Sequence, residues 1–160
     1  MDQIFPFLLA LNPGELESIH LRTIRPAERD QILRIFETEQ FKQAKHVQLR
    51  MHLDEDDLLK FRHLKSFKCS LDSEKLVDIQ RVREIISNFE QFESCELIHH
   101  YLEDEFLLRS IGEALGEEIP FGPLKTITHR YQIRESNEYL EFKIEDEKYY
   151  YCTIKITKTR

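Results

Sequence analysis

A chain of 160 residues is of one-domain size and can bury about 70 % of its unfolded surface in a proper core. Its composition, 41 % hydrophobic and 33 % charged with 4 Gly and 5 Pro, excludes a disordered or loop-dominated chain. The net charge of −7 argues against a general nucleic-acid or anionic-membrane binder, because both require a basic surface, although a local basic patch is compatible with it. The first element, Ile4 to Leu11, is too short to span a bilayer and lacks the basic region and cleavage site of a signal peptide. It reads as a core helix or N-terminal cap of a cytoplasmic or nuclear protein with no membrane partner.

A repeat follows. The pattern L-x-x-L-x-L, with apolar substitutes, occurs as Leu16–Leu21, Ala44–Leu49, Leu64–Cys69 and Phe92–Leu97. First positions at 16, 44, 64 and 92 give spacings of 28, 20 and 28 residues, within the leucine-rich-repeat range of about 20–29. A degenerate fifth copy, Leu124–His129, begins 32 residues after the fourth. Helical patterns lie between the copies. Pro26 can open a helix whose apolar face carries Ile32, Ile35 and Phe36 and ends near Phe41. Asp54–Phe61 suits a short helix. Asp72 or Ser73 can cap one carrying Leu76, Ile79, Val82, Ile86 and Phe89, and Glu103–Leu115 holds another with Phe106, Leu107, Ile111 and Leu115 inward.

Strand and helix alternating in this way predict parallel strands joined by crossover helices. At the end of the chain, Tyr139–Ile144 and Tyr149–Ile156 alternate like the arms of a hairpin, with residues 145–148 between them. The expected fold is therefore α/β: a short leucine-rich-repeat-like solenoid over about residues 1–134, closed by a capping β-hairpin at about 138–158, all within one domain. The Asn or Cys that usually ties the repeat's turn is replaced by Ile24, His52, Asp72 and His100, which predicts irregular turns and no long horseshoe.

Motifs for chemistry are missing. The sequence has no G-x-S-x-G, H-E-x-x-H, P-loop or G-x-G-x-x-G, so the expectation is a non-enzyme with no cofactor and no metal. His99 and His100 with Asp104 make a poor ligand set, since adjacent strand residues face opposite ways. The three cysteines (Cys69, Cys95 and Cys152) have no metal spacing and suit a reducing compartment. Cys69 and Cys95, at core positions of the repeat, read as structural thiols. Asp54-Glu55-Asp56-Asp57 reads as a solvated helix start and not a calcium loop. Gly112 and Gly116, with three residues between them, read as a helix stop.

If positions one, four and six of each copy point inward, the others stack into outward ladders. The middle ladder is His20, Gln48, Lys68 and Glu96; the next is Arg22, Arg50, Ser70 and Ile98; the third is Ser18, His46, Ser66 and Ser94. This polar face, modestly basic in its first three copies, is either a partner-binding surface or an ordinary solvated sheet face. The candidate contact residues are Ser18, His20, Arg22, His46, Gln48, Arg50, Ser66, Lys68 and Glu96. Direct single-stranded RNA binding through Arg22, Arg50 and Lys68 is the alternative, disfavoured by the overall charge.

Several stretches resemble one family. Phe5-Pro6-Phe7-Leu8 through Asn12-Pro13-Gly14-Glu15-Leu16-Glu17-Ser18-Ile19 resembles the entry of the FTH domain, an apolar helix, a Pro-Gly turn and then Leu-Glu-x-Ile. Glu39-Gln40-Phe41-Lys42-Gln43-Ala44-Lys45 is similar to its Glu-Gln-Trp-Lys-x-Ala-Lys motif, with Phe41 where Trp is usual. Phe92-Glu93-Ser94-Cys95-Glu96-Leu97 resembles its Phe-Glu-x-Cys strand. The resemblance covers nearly the whole chain. It implies the partner-recognition half of a nematode F-box protein, of the type known from germline sex determination. Such a domain recruits a target protein, either a ubiquitin-ligase substrate or an RNA-binding translational repressor. The ligase adaptor is bound through the F-box. No F-box-like segment precedes Gln3, so the expectation is an excised domain, or a member without an F-box, that does not itself bind the adaptor.

Overall fold

The four repeat copies become four strands because each supplies two or three apolar residues at the spacing that a half-buried strand needs. They are β1 (Ser18–Arg22), β2 (His46–Leu53), β3 (Ser66–Leu71) and β4 (Ser94–His100) in a computed structural model that describes residues 4–22, 29–71, 74–100, 107–147 and 151–160. The strands are parallel and pair in chain order. The third positions of the copies, Ser18, His46, Ser66 and Ser94, lie side by side in register. The same hydrogen bonds recur at each strand entrance. The Glu17 carbonyl accepts from Lys45 and His46, the Lys45 carbonyl from Lys65 and Ser66, and the Lys65 carbonyl from Glu93 and Ser94, all at 2.7–3.3 Å.

The connections carry α2 (Arg29–Phe36), α3 (Glu39–Gln43), a 3₁₀ helix (Glu55–Phe61) and α4 (Ile79–Ser87); α1 (Ile4–Leu9) precedes β1 and α5 (Leu107–Ala114) follows β4. Right-handed crossovers advancing one strand at a time place all their helices on one side of a sheet. The inward strand residues and the buried helix residues accordingly join one core. Phe36, Phe41, Phe61, Phe67, Phe92 and Phe89 run through it as a chain of ring contacts, with centroids 4.9–6.5 Å apart. Among the described residues no helix is long and apolar enough to cross a membrane.

Several expectations are corrected at the helices. The helical pattern from Pro26 to Phe41 is two helices, because Thr38 is extended (φ −72°, ψ 143°) and its hydroxyl accepts the Phe41 N–H at 3.2 Å. Pro26 itself lies outside the described residues, as do Asp72, Ser73 and Phe106. The helix after β3 is capped by Asp78, whose carboxylate accepts the Arg81 N–H at 3.0 Å. Leu76 therefore precedes it and is 51 % exposed, while Val77 takes the inward place. Gly116, with φ +85°, does stop α5. Gly112 does not stop a helix: it lies within α5, where a Cβ would come 2.5 Å from Ile119 and 2.7 Å from Ile127, so it permits close packing against β5.

The C-terminal part also departs from expectation. The sheet has seven strands in the order β1-β2-β3-β4-β7-β6-β5, completed by β5 (Thr126–Gln132), β6 (Tyr139–Glu147) and β7 (Tyr151–Thr159) as an antiparallel meander. The hairpin expected as a closing cap is present, but β7 continues the sheet beside β4 and β5 extends it further, leaving the sheet open. The degenerate fifth copy is thus the far edge strand and not a fifth parallel strand, which ends the parallel series at β4. Burial explains the choice. β7, flanked on both sides, buries Cys152, Ile154 and Ile156, whereas β5 buries Ile127 alone and suits an edge.

Candidate interaction face

With the crossovers on one side, the other side of the sheet carries the outward residues of every strand. Two rows cross all seven strands in register. One runs Ser18, His46, Ser66, Ser94, Thr157, Glu141 and Arg130. The adjacent row runs His20, Gln48, Lys68, Glu96, Lys155, Lys143 and Thr128. Seven of the nine candidate contact residues fall in these rows, and the other two, Arg22 and Arg50, pair with each other across β1 and β2. At Arg50 the ladder breaks on the side toward β3. The β2–β3 register shifts between Gln48 and His52, so His52, not Arg50, stands opposite Ser70. A register shift of this kind interrupts the ladder locally, and here it falls between β2 and β3 at Arg50.

The face has its own local bonding. His46 Nδ1 lies 2.7 Å from Ser66 Oγ, and Lys68 Nζ lies 2.8 Å from Glu96 Oε1. His20, Gln48, Ser66, Lys68, Glu96 and Lys155 help to line a shallow trough of about 320 Å³ across the middle of the sheet. At one rim the strand-entrance residues pair in opposite charges, Lys45 with Glu17 at 2.7 Å and Lys65 with Glu93 at 3.7 Å. Toward the other end, two of the residues standing where a tight repeat turn usually has Asn or Cys remain in strands. The His52 and His100 rings meet edge to face at 6.1 Å, and His100 contacts Tyr151 at 5.6 Å. Burial, with the neighbouring His52, lowers the His100 pKa below the ordinary histidine value. Its neighbour His99 points the opposite way and is buried, and Asp104 is outside the described residues.

The thiols offer no nucleophile. Cys69, Cys95 and Cys152 are free and buried, and burial raises all three pKa values, that of Cys152 to about 12. A neutral thiol is a poor nucleophile at neutral pH.

A charged cluster that sequence reasoning missed lies on the helical side. Of the acidic run at residues 54–57, Glu55 and Asp57 are buried, which corrects the reading of a solvated helix start. Asp57 accepts a two-pronged ion pair from Arg29, with Nη2–Oδ1 at 2.6 Å and Nη1 on the other oxygen, and it also takes the Asp54 N–H at 2.9 Å. Glu55 accepts the Asp78 N–H at 2.8 Å and pairs with Lys75 at 3.1 Å. Burial pushes the Glu55 carboxyl upward, but the hydrogen bonds from backbone N–H groups and Lys75 outweigh it and hold the pKa below the ordinary value. These carboxylates fasten the start of α2, the 3₁₀ helix and the start of α4 together. The partners Arg29, Lys75 and Asp78 lie far from these carboxylates along the chain, so no short sequence motif marks the cluster.

The residues that resemble a family motif also have structural roles. Gln40 is buried and donates to the Leu11 carbonyl at 2.7 Å, tying the segment after α1 to α3. Phe41 packs between Phe36, Phe61 and His63, and Ala44 leads into β2. No curated protein matches the chain in sequence. Among solved structures, an uncharacterized protein from Listeria monocytogenes serotype 4b is similar over 100 % of this chain and 68 % of its own length, at 9 % identity and a TM-score of 0.28, too weak a likeness to bear on the fold. The FTH domain family, by contrast, matches residues 1–111, from the N-terminus through all four parallel strands into α5. Since that match spans more than half of the chain, the chain belongs to the FTH domain family.

Proposed function

We propose that this chain is a protein-recognition domain that holds a target for an F-box adaptor through the open face of its sheet, and that it performs no catalysis. The observation that carries the reading is the polar surface running in register across the strands, backed by a single helical layer, in a chain of the FTH family. A rigid sheet holds its outward side chains at fixed spacing, so little conformational entropy is lost when a partner docks on it. The four parallel units are read as a short leucine-rich-repeat-like stack, a geometry that presents one row of side chains per residue position. The contact residues are Ser18, His20, Arg22, His46, Gln48, Arg50, Ser66, Lys68 and Glu96. The target is a ubiquitin-ligase substrate or a regulatory RNA-binding protein, met in the cytoplasm or nucleus, and contact with the ligase adaptor belongs to an F-box.

The test is an affinity pull-down from the source tissue with the intact chain beside the Arg22→Ala/Arg50→Ala/Lys68→Ala variant. Loss of a protein partner with the folded variant supports the reading. Recovery of the same partner by both moves the binding site off this face. Recovery of none by either chain counts against a recognition domain.

A further inference from the structure

The parallel series repeats one junction three times and leaves the same edge open at β1. At each junction the first N–H of the later strand, from His46, Ser66 or Ser94, donates to a carbonyl at the entrance of the strand before, that of Glu17, Lys45 or Lys65. Ser18 stands in register with His46, so its N–H points away from β2. Residues of a parallel strand bond alternately to the two sides, and the N–H groups of His20 and Arg22 therefore point the same way as that of Ser18. Among the described residues no strand lies on that side of β1.

The side chains show the same gap. The sixth-position residues of the later copies, Leu49, Cys69 and Leu97, are at most 1 % exposed, whereas Leu21 on β1 is only half-buried. Free edges are usually guarded by Pro, Lys or a charged residue turned inward, and Ser18–Arg22 has none of these. The other free edge, β5, is guarded. Its middle inward residue, His129, lies 2.7 Å from Glu117 and 3.3 Å from Arg83, so a strand added there would set an inward side chain on a polar cluster.

We infer that the β1 edge takes an extended segment of a protein partner as one more parallel strand, whose carbonyls accept the Ser18 and His20 N–H groups and whose inward apolar side chain covers Leu21. The form of the occupant follows from the three junctions within the chain, which are all parallel with apolar residues inward. A second copy fits worse, because a two-fold axis that keeps the strands parallel turns the copy over and sets its polar outer residues beside Leu21. This edge site is separate from the open face and stands or falls without it.

The experiment follows the backbone amides of the full 160-residue chain by NMR during titration with a peptide of residues 15–22, the segment that β2 receives in parallel within the fold. The expected result is saturable shifts at the Ser18 and His20 amides. Affinity falls at least tenfold in His20→Pro, which removes an outward N–H at a place where an edge strand tolerates proline. It falls as far for a peptide N-methylated at Ile19 and Leu21, the residues whose N–H groups face the receiving strand, and for one with Ser at both. Thr128→Pro, on the β5 edge, leaves it unchanged. Far-UV circular dichroism of each variant keeps a folding failure from passing as loss of binding. The N-methylated peptide, used on the parent chain, needs no variant to fold and separates backbone pairing from contact with the His20 side chain. No saturable binding, shifts centred on β5, or equal affinity for the N-methylated peptide overturns the inference. Sedimentation that finds a dimer dissolved by His20→Pro assigns the edge to a second copy and overturns it as well.

Discussion

The parallel and antiparallel halves of the sheet solve the same problem differently. In β1–β4 each strand is delivered by a helical crossover, so the inner face is thick with aromatic rings and the outer face is left with whatever polar residues the repeat supplies. In β5–β7 neighbouring strands follow one another directly, and outward residues pair both along a strand, as Lys143 and Glu145 do on β6, and across strands, as Arg130 and Glu141 do. The FTH match ends at residue 111 and so covers the parallel half but not the meander. The parallel half has such a charge pair on its outward side as well, Lys68 with Glu96 at 2.8 Å, and a neutral contact, His46 with Ser66 at 2.7 Å. The meander extends the sheet and covers the edge that β4 would otherwise leave open.

The largest expected effect tests whether the halves share one core. Phe41→Ala removes a fully buried ring from the parallel half and Phe142→Ala one from the meander; each should cost about 3–5 kcal/mol. Urea unfolding followed by both near-UV and far-UV signals should show one shifted transition for either variant. Two separate transitions for Phe142→Ala would show that the meander unfolds by itself. The next effect is at Arg29→Ala, which leaves the Asp57 carboxylate buried with fewer donors and should cost about 1–3 kcal/mol, within reach of the same titration. An unchanged midpoint would reduce that pair to a surface contact. Gly112→Val, forcing a branched side chain against Ile119 and Ile127 where α5 meets the meander, should cost about 1–3 kcal/mol.

Acid sharpens the comparison because Glu55 belongs to the helical side of the parallel half. Its folded pKa is depressed below 4.5, so its contribution to stability is complete above that value and is lost as pH falls through the folded pKa. In Glu55→Gln, denaturation midpoints should depend less steeply on pH below 4.5 than in the parent chain; identical slopes would remove Glu55 from the acid transition. The smallest stability effect belongs to the open face. Lys68→Ala breaks a half-exposed pair and should shift stability by no more than about 0.5 kcal/mol. A larger loss would mean that Lys68 serves the fold and not a partner.

Much of the parallel half was legible because L-x-x-L-x-L is a statement about burial. The fourth-position residues Ile19, Val47, Phe67 and Cys95 are all at most 5 % exposed, as period-two alternation requires. The same alternation assigned the outward ladders. It could not show the β2 bulge that parts Arg50 from Ser70, since a register shift depends on how two strands twist against each other. Glu55 and Asp57 were illegible for a related reason: acidic residues at a helix start are solvated by default, and only the arrival of Arg29, Lys75 and the Asp78 N–H from distant positions makes their burial tolerable.

The sequence by itself determined the four parallel strands, their inward and outward residues, the buried thiols Cys69 and Cys95 and the family, because each of these follows from local periodicity or from a contiguous motif. Tertiary structure alone decided that the hairpin inserts beside β4, that the fifth copy becomes the far edge, and that Gly112 serves packing. Those outcomes depend on which strands compete for the same edge and on how much apolar surface each can bury on both sides, and no stretch of sequence carries that comparison within itself.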